Sequence, residues 1–251
     1  MNPHSIIARR GLTVRRKSVL LTIGLILLIL GAVSGTLIIL LKGEPEFYTS
    51  QADEPSAWER GELASALLTR VQDLKNDIRS KPEWGTSFRA NDLNSFFREN
   101  LSDGDGYATL LPSGFHSPRV AIDGDRIKLG MRYGNGYWST IVWVEMRAWL
   151  VKNDTNVIAL ELCGMRAGNV SIGCQTMLDS LSEAAHDSNV DVTWYRNGSN
   201  PVGLFRFYAD QLRPTTQIHT LKIADGTITV AGRTKLENST VGGPGTNPIG
   251  E

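Results

Sequence analysis

The sequence predicts an α+β protein: a single N-terminal transmembrane helix, then one extracytoplasmic domain with a mainly antiparallel sheet and two to three helices. Residues 18–41 form an uncharged apolar stretch, and apolar residues with helical spacing follow between residues 56 and 82. From Arg119 onward the apolar residues recur at every second position, which is typical of strands. Because helices and strands occur in separate runs, their order favours an α+β fold over an alternating α/β fold.

The apolar stretch predicts a transmembrane helix that is retained in the mature protein. At about 1.5 Å per residue the helix is roughly 36 Å long, which is enough to cross a hydrocarbon core of about 30 Å. A cleaved signal peptide typically has an apolar region of only about 7 to 15 residues. Here the apolar residues continue past the small residues 32–35, which otherwise resemble a cleavage site.

The charges on either side of this stretch predict its orientation. Only Lys42 follows it closely, with Glu44 and Glu46 next, whereas five basic residues precede it: Arg9, Arg10, Arg15, Arg16 and Lys17. Lys and Arg are in excess on the cytoplasmic side of membrane proteins. We therefore expect a single-pass protein of the cell membrane with a cytoplasmic N-terminus and a periplasmic domain.

Composition divides the chain into five parts. Residues 1–17 are predicted to be a basic cytoplasmic segment, residues 18–41 the transmembrane helix, and residues 42–55 a polar linker that contains proline. Residues 56–236 make up the predicted α+β domain. Residues 237–251 are rich in Gly, Asn and Pro without an apolar period, which predicts a disordered tail.

Three helices are predicted within the domain. Ser56 and Glu59 have the spacing of a capping box, which begins the first helix. Asn91 is predicted to cap the second, and the third begins near Cys174. Residues with helical spacing are predicted to face the core: Leu63, Leu67, Val71, Leu74 and Ile78 in the first helix, Leu93, Phe96 and Phe97 in the second, and Met177, Leu178, Leu181 and Ala185 in the third.

Two β-hairpins are indicated by Asp-Gly steps between alternating apolar residues. One step is Asp123-Gly124 and the other is Asp225-Gly226. Glycine accepts the positive φ that tight hairpin turns require, so this dipeptide is a strong local signal. We interpret the two hairpins as two turns of one sheet that serves as scaffold.

The longest predicted strand is "IVWVEMRAWL", residues 141–150. Its two faces are Val142, Val144, Met146 and Ala148 on one side, and Ile141, Trp143, Glu145, Arg147 and Trp149 on the other. The first face is predicted to pack in the core. For the second face two interpretations stay open. The tryptophans are large core residues covered by the first domain helix, or Trp143, Trp149 and Ile141 line an apolar trough that binds a lipid or a partner.

Cys163 and Cys174 are the only cysteines in the chain. Because they are predicted to lie outside the cytoplasm, in an oxidising compartment, the pair is a candidate disulfide, and the glycines between them allow the chain to fold back. The alternative is that both are ordinary core residues.

No familiar catalytic, cofactor or metal motif occurs in the sequence. The histidines are scattered, no H-E-x-x-H or G-x-S-x-G pattern is found, and no phosphate-binding glycine loop follows a strand. With 26 basic and 26 acidic residues the chain has no excess charge that would attract nucleic acid. We therefore predict a non-catalytic binding or assembly module of the cell envelope, without a cofactor. Its expected partners are the bilayer, through residues 18–41, and other envelope proteins. The alternatives are a lipid-binding or lipid-transfer domain and an envelope hydrolase.

Four segments carry a resemblance to a known family. The segments "ANDLNSFFREN", "RVAIDGDRIKL", "LCGMRAGNVSIGCQTMLDSL" and "LKIADGTITV", in this order after a single span, resemble the YpmS-like group of bacterial single-span membrane-anchored proteins. The resemblance covers roughly residues 83–232. It implies a membrane-anchored bacterial domain and, through similar folds, the handling of lipids. It implies no catalytic residues and no cysteine pair.

Overall fold

The computed structural model describes residues 8–50, 55–101, 111–208 and 215–236, with side chains from Leu21 onward. The predicted disordered tail, residues 237–251, lies outside the described residues. The helices are α1 (Ala8–Leu41), α2 (Glu46–Thr49), α3 (Ala57–Ser80), α4 (Ala90–Asn100) and α5 (Gln175–Asp187). The strands are β1 (Glu83–Arg89), β2 (Phe115–Asp123), β3 (Arg126–Tyr133), β4 (Thr140–Leu150), β5 (Val157–Ala167), β6 (Val170–Ser171), β7 (Asp191–Asn197), β8 (Asn200–Arg206), β9 (Thr216–Ala224) and β10 (Thr227–Thr234).

The strands form two sheets, and every strand pair in them is antiparallel. The larger sheet has the order β2-β3-β4-β5-β8-β7, with the short β6 paired to β5, and the smaller has the order β1-β10-β9. Helices are few and lie apart from the run of strands. The predicted α+β class is therefore confirmed, with one long apolar helix before a mainly antiparallel domain.

The two Asp-Gly hairpins belong to different sheets, so the prediction of one shared sheet is wrong. The hairpin β2–β3 lies in the larger sheet, and β9–β10 lies in the smaller one, where β10 pairs with β1. Their turns also differ. Gly124 with φ 58° begins the first turn, whereas Asp225 and Gly226 both have positive φ in the second. Glycine at the first central position is typical of a type II′ turn, and two positive φ values are typical of type I′.

The core lies between the two sheets and under the helices. Strand β9 contacts β2, β3 and β4 of the larger sheet, while α3 packs on α4 and β1. Val144 of β4 is buried as predicted, and so is Leu162 of β5. The other residues of the predicted core face, Val142, Met146 and Ala148, are half-buried, whereas Ile141 on the opposite face is 1% exposed. At the edge of the core α5 packs on β7, where the Trp194 indole Nε1 donates to the Ser182 hydroxyl at 2.8 Å.

The predicted start of α3 is confirmed. The backbone N–H of Glu59 donates to the Ser56 hydroxyl, and the apolar stripe from Leu63 to Ile78 lies on the inner side of the helix. The start of α4 differs from the prediction. Its N-cap is Arg89, without a side-chain cap, so Asn91 is not the cap residue.

The most buried residues of α4 are polar. Asp92 is 3% exposed, and its Oδ2 accepts from Arg70 Nη1 of α3 at 2.6 Å, an ion pair that joins the two helices. Ser95 is also buried. The predicted apolar residues of α4, Leu93, Phe96 and Phe97, are half-buried around them.

Candidate functional site at the helix–sheet junction

Helix α1 ends directly on the larger sheet. The Asn169 N–H donates to the Leu40 carbonyl at 2.8 Å, and the Thr140 hydroxyl donates to the Leu41 carbonyl. The last carbonyls of a helix have no partner within the helix and need donors from elsewhere. The start of β4 and the turn between β5 and β6 supply those donors here. We call this contact the junction, defined by Leu40, Leu41, Thr140, Gly168 and Asn169.

Gly168 allows this close approach. Its φ is 57°, and a Cβ placed there would lie 2.4 Å from the Leu41 carbonyl oxygen and 2.5 Å from that of Leu40. Its own N–H donates to the Ile141 carbonyl at 2.7 Å, which holds the turn against β4. Only glycine meets both requirements without strain, because any other residue disfavours this backbone conformation and would collide with the helix.

The segment after α1 is also packed on the larger sheet. The Tyr48 side chain of α2 is 6% exposed, and its hydroxyl donates to the Ser117 carbonyl at 2.7 Å. Arg119 Nη1 donates to the Tyr48 carbonyl at 3.0 Å, and Arg132 forms an ion pair with Glu44 at 2.7 Å. Residues 44–48, within the predicted linker, are thus held against the domain by buried and charged contacts.

Burial and two arginines act in opposite directions on Tyr48. Burial raises the pKa of its phenol above the usual value, while the positive charges of Arg132 and Arg119 lower it, and burial has the larger effect. The phenol is therefore held in its neutral form, in which it donates to the Ser117 carbonyl.

Trp143 connects the junction to α2. Its indole Nε1 donates to the Gly168 carbonyl at 3.0 Å, and its ring centroid lies 5.7 Å from that of Phe47. The Arg166 guanidinium lies over the same ring, 5.3 Å from its centroid. Three separate parts of the chain thus meet on this indole.

The three residues predicted to line a trough do not share one environment. Ile141 is 1% exposed, Trp143 is half-buried under Phe47, and Trp149 is 39% exposed. Trp149 is nine positions after Thr140 on β4, roughly 30 Å away at about 3.3 Å per residue. Charged side chains lie between the two indoles.

These charged side chains are paired across β3, β4 and the first hairpin turn. Arg126 Nη1 contacts Glu145 Oε1 at 2.5 Å, and Arg147 Nη2 contacts Asp125 Oδ2 at 2.5 Å. The stretch between Trp143 and Trp149 is thus a polar surface with ion pairs, which an acyl chain would have to desolvate.

We expect Trp143→Ala and Trp149→Ala to have unequal effects on stability. Trp143→Ala removes a packed ring and one hydrogen bond, so it should cost about 2 to 4 kcal/mol, below the roughly 3 to 5 kcal/mol of a fully buried ring. Trp149→Ala should cost less, about 1 to 2 kcal/mol, because 39% of that side chain is exposed and no hydrogen bond to the described residues is lost with it. Thermal unfolding of the full chain in detergent micelles measures both, and equal losses would contradict the packing described.

The two cysteines are separate thiols in the structure, and both are half-buried. Cys163 lies in β5 where the register with β4 shifts, and Cys174 precedes α5. Burial raises the pKa of the Cys163 thiol, and the nearby Glu161 carboxylate raises it further, while Arg126 opposes the rise. Cys163 is therefore held as a neutral thiol, the form that is a poor nucleophile.

Glu161 is the buried carboxylate of the larger sheet, 5% exposed. Asn200 Nδ2 donates to its Oε1 at 2.9 Å, and Arg147 Nη1 lies 3.8 Å from its Oε2. Asn197 Nδ2 donates to the same Oε1 at 3.4 Å, so two amides and one guanidinium satisfy the charge of Glu161. Within the described residues, no group of three or more His, Cys, Asp or Glu side chains is placed to hold a metal ion.

A cleft of about 520 Å³ lies between α4 and β2. Its lining includes three arginines, Arg60, Arg98 and Arg119, together with Phe47 and Ser95. Arg60 is paired with Glu99 at 3.0 Å. The Ser95 hydroxyl is buried and has no hydrogen-bond partner among the described residues. The cleft is bordered by residues 50 and 55, on either side of the undescribed residues 51–54.

Comparison of the chain with family models, with curated proteins and with solved structures gave no significant match. The resemblance to the YpmS-like group therefore stays a prediction from the sequence.

The junction was not predicted from the sequence. Thr140 and Gly168 belong to no motif, and Asn169 only begins an N-x-S pattern. All three contact backbone carbonyls, which every residue carries. The one available signal was the step Gly168-Asn169 in a turn between strands, which predicts a tight turn and leaves open what it contacts.

Proposed function

We propose that the chain is a single-pass membrane protein whose α1 anchors a non-catalytic binding or assembly module on the extracytoplasmic side of the cell envelope. The observation that carries the proposal is the junction. It joins the last turn of α1 to the strands β4 and β5 in the middle of the larger sheet. The direction of α1 is therefore coupled to the orientation of the domain.

The apolar surface of α1 supports its role as anchor. From Leu21 to Leu41 no residue is buried against the rest of the described chain, and Leu21, Leu28 and Ile39 are each more than two-thirds exposed. A helix that is apolar on all sides is stable in a hydrocarbon core, because its backbone groups are satisfied internally. The five basic residues before it support a cytoplasmic N-terminus.

A fixed junction supports assembly as the role of the domain. A module with a fixed height and orientation above the bilayer presents the same surface to every partner held in that membrane. The geometry then raises the effective concentration of the partner and reduces the entropy lost on binding. A domain on a flexible linker lacks this advantage.

Protease protection tests the topology. Under prolonged digestion, trypsin added outside intact spheroplasts should degrade the domain that follows Lys42, although its folded state slows cleavage. A tag placed before residue 17 should stay protected until the membrane is lysed. A cytoplasmic reporter protein, intact before lysis, is the control. Digestion of the tag with the domain protected would overturn the proposed orientation.

Gly168→Ala tests the junction. The substitution adds a Cβ at positive φ and against the Leu41 carbonyl oxygen, which should cost at least about 1 to 2 kcal/mol and release the end of α1. Trypsin should then cleave after Lys42 about tenfold faster or more in detergent micelles, because the protected bond opens more often. The proteolytic half-life of that bond is the measurement.

Gly164→Ala is the matched control, since Gly164 lies on β5, four residues before Gly168, with nothing within 4 Å of its added Cβ. It should leave the cleavage rate unchanged. Native mass spectrometry of both variants, extracted with their membrane, measures the effect on assembly. Partner subunits that are retained by Gly164→Ala should be lost from Gly168→Ala. Partner subunits that stay with both variants, or a wild-type chain that carries none, would contradict the assembly role.

A further inference from the structure

We propose that Tyr137 and Trp138 lie in the lipid headgroup region of the bilayer that α1 spans, and so hold the domain against the membrane surface. We call these two residues the interfacial pair. The inference rests on the proposed membrane anchor, and it adds a second membrane contact, made by the domain itself.

The interfacial pair is exposed to an unusual degree for large aromatic residues. Tyr137 is 70% exposed and Trp138 is 76% exposed, next to each other in the short turn between β3 and β4. Their ring centroids are 5.3 Å apart with the planes nearly perpendicular. Aromatic rings of this size usually leave water on folding, so their joint exposure indicates a surface that contacts something else.

The position of the pair identifies the contact as the bilayer. Trp138 is two residues before Thr140, whose hydroxyl donates to the last carbonyl of α1. The Lys42 ammonium, which follows the span directly, lies 2.9 Å from the centroid of the Tyr137 ring. The pair is thus at the level where the helix leaves the hydrocarbon core.

The chemistry of the pair fits this level of the bilayer. Tryptophan and tyrosine are enriched at both membrane–water interfaces, where the ring contacts acyl chains and the N–H or O–H stays hydrated. Lys42 adds a cation at the same level, which is attracted to anionic headgroups. A bilayer surface therefore fits the pair better than a dry protein interface does.

The turn that carries the pair is held in place by side-chain hydrogen bonds. Ser139 donates from its hydroxyl to the Gly136 carbonyl at 2.9 Å, and Arg132 Nη1 donates to the Ser139 hydroxyl at 3.2 Å. Arg132 is also paired with Glu44 in the segment after α1. The pair and the end of α1 are thus held by one set of contacts, and they move together.

Quenching by brominated lipid tests the inference. The full chain is reconstituted in vesicles of phosphatidylcholine and phosphatidylglycerol, with and without phosphatidylcholine brominated near the glycerol end of its acyl chains. We expect Trp138→Phe to lose at least half of the tryptophan fluorescence that the brominated lipid quenches in the wild type.

Trp149→Phe is the matched control, because Trp149 is also exposed and lies on β4 at the far end from the junction. It should keep all of the quenched fluorescence. If Trp138→Phe floats with the vesicles and the brominated lipid quenches as much tryptophan fluorescence as in the wild type, the inference is overturned while the anchor stands. An interfacial pair that binds a protein partner and lies outside the lipid would give this result. A chain that does not float with the vesicles would overturn the anchor and the inference together.

Discussion

Asn156→Ala is expected to destabilise the domain by about 3 to 5 kcal/mol, a large share of a typical total of roughly 5 to 15 kcal/mol. Asn156 is 1% exposed in the connection between β4 and β5, and its side chain joins the two sheets. Its Nδ2 donates to the Thr216 carbonyl at 2.7 Å, and its Oδ1 accepts from the Ile218 N–H at 2.8 Å.

Alanine removes both hydrogen bonds and leaves the backbone groups of Thr216 and Ile218 without partners in a buried place. Each unsatisfied group costs about 1 to 3 kcal/mol. The φ of Asn156 is 58°, a conformation that asparagine tolerates better than alanine, so the substitution also adds backbone strain.

Urea unfolding of the full chain in detergent micelles, followed by tryptophan fluorescence, measures the loss. Asn153→Ala, in the same connection but exposed, is the matched control and should change the free energy of unfolding by less than about 0.5 kcal/mol. Asn156→Gly relieves the positive φ and should recover roughly 1 kcal/mol relative to Ala. A free energy of unfolding for Asn156→Ala within 1 kcal/mol of the wild type would show, on this scale, that the sheets are held together elsewhere.

Val144→Asp is expected to prevent folding of the domain. Val144 is 5% exposed on β4, between Leu129 of β3 and Met165 of β5, in the middle of the larger sheet. A carboxylate there has no cationic partner on the neighbouring positions. A buried, unpaired charge costs several kcal/mol in addition to the apolar contacts that valine loses.

Resistance to proteolysis and near-UV circular dichroism measure this outcome. The variant should be degraded after Lys42 while the apolar helix stays in the membrane fraction, since α1 needs no contact with the domain to remain helical in lipid. Lys152→Asp, in the exposed connection after β4, introduces the same residue and should fold like the wild type. A protease-resistant Val144→Asp domain would mean that this face of β4 is open to water.

Alternation along β4 predicted the burial of Val144 correctly. It did not predict the whole face, because Val142, Met146 and Ala148 are half-buried and Ile141 of the opposite face is 1% exposed. Other local patterns predicted α3, whose apolar residues follow the helical period, and both hairpins, whose turns need glycine at positive φ. In each case neighbouring residues in the sequence are neighbours in the structure, so the pattern is local and visible.

The opposite face of β4 shows where this reasoning ends. Trp143 and Trp149 lie on one face of the strand, yet one indole packs under Phe47 and the other is 39% exposed. The cover over Trp143 comes from a segment almost a hundred residues earlier in the chain. No periodicity within β4 carries that information.

By itself the sequence determined the apolar helix before the domain, the α+β class, the hairpin turns and the burial of Val144 on β4. Each of these features depends on the composition or the periodicity of a short segment, so the residues that specify it are close together in the sequence. Only the tertiary structure decided that the hairpins lie in two sheets, that Asn156 joins those sheets, and that α1 ends on β4 and β5. The hydrogen bonds of Asn156 and of the junction are made to backbone N–H and C=O groups that are 60 to 130 residues away in the chain. Because nearly every residue carries these groups, the sequence does not indicate which of them form a hydrogen bond with each other.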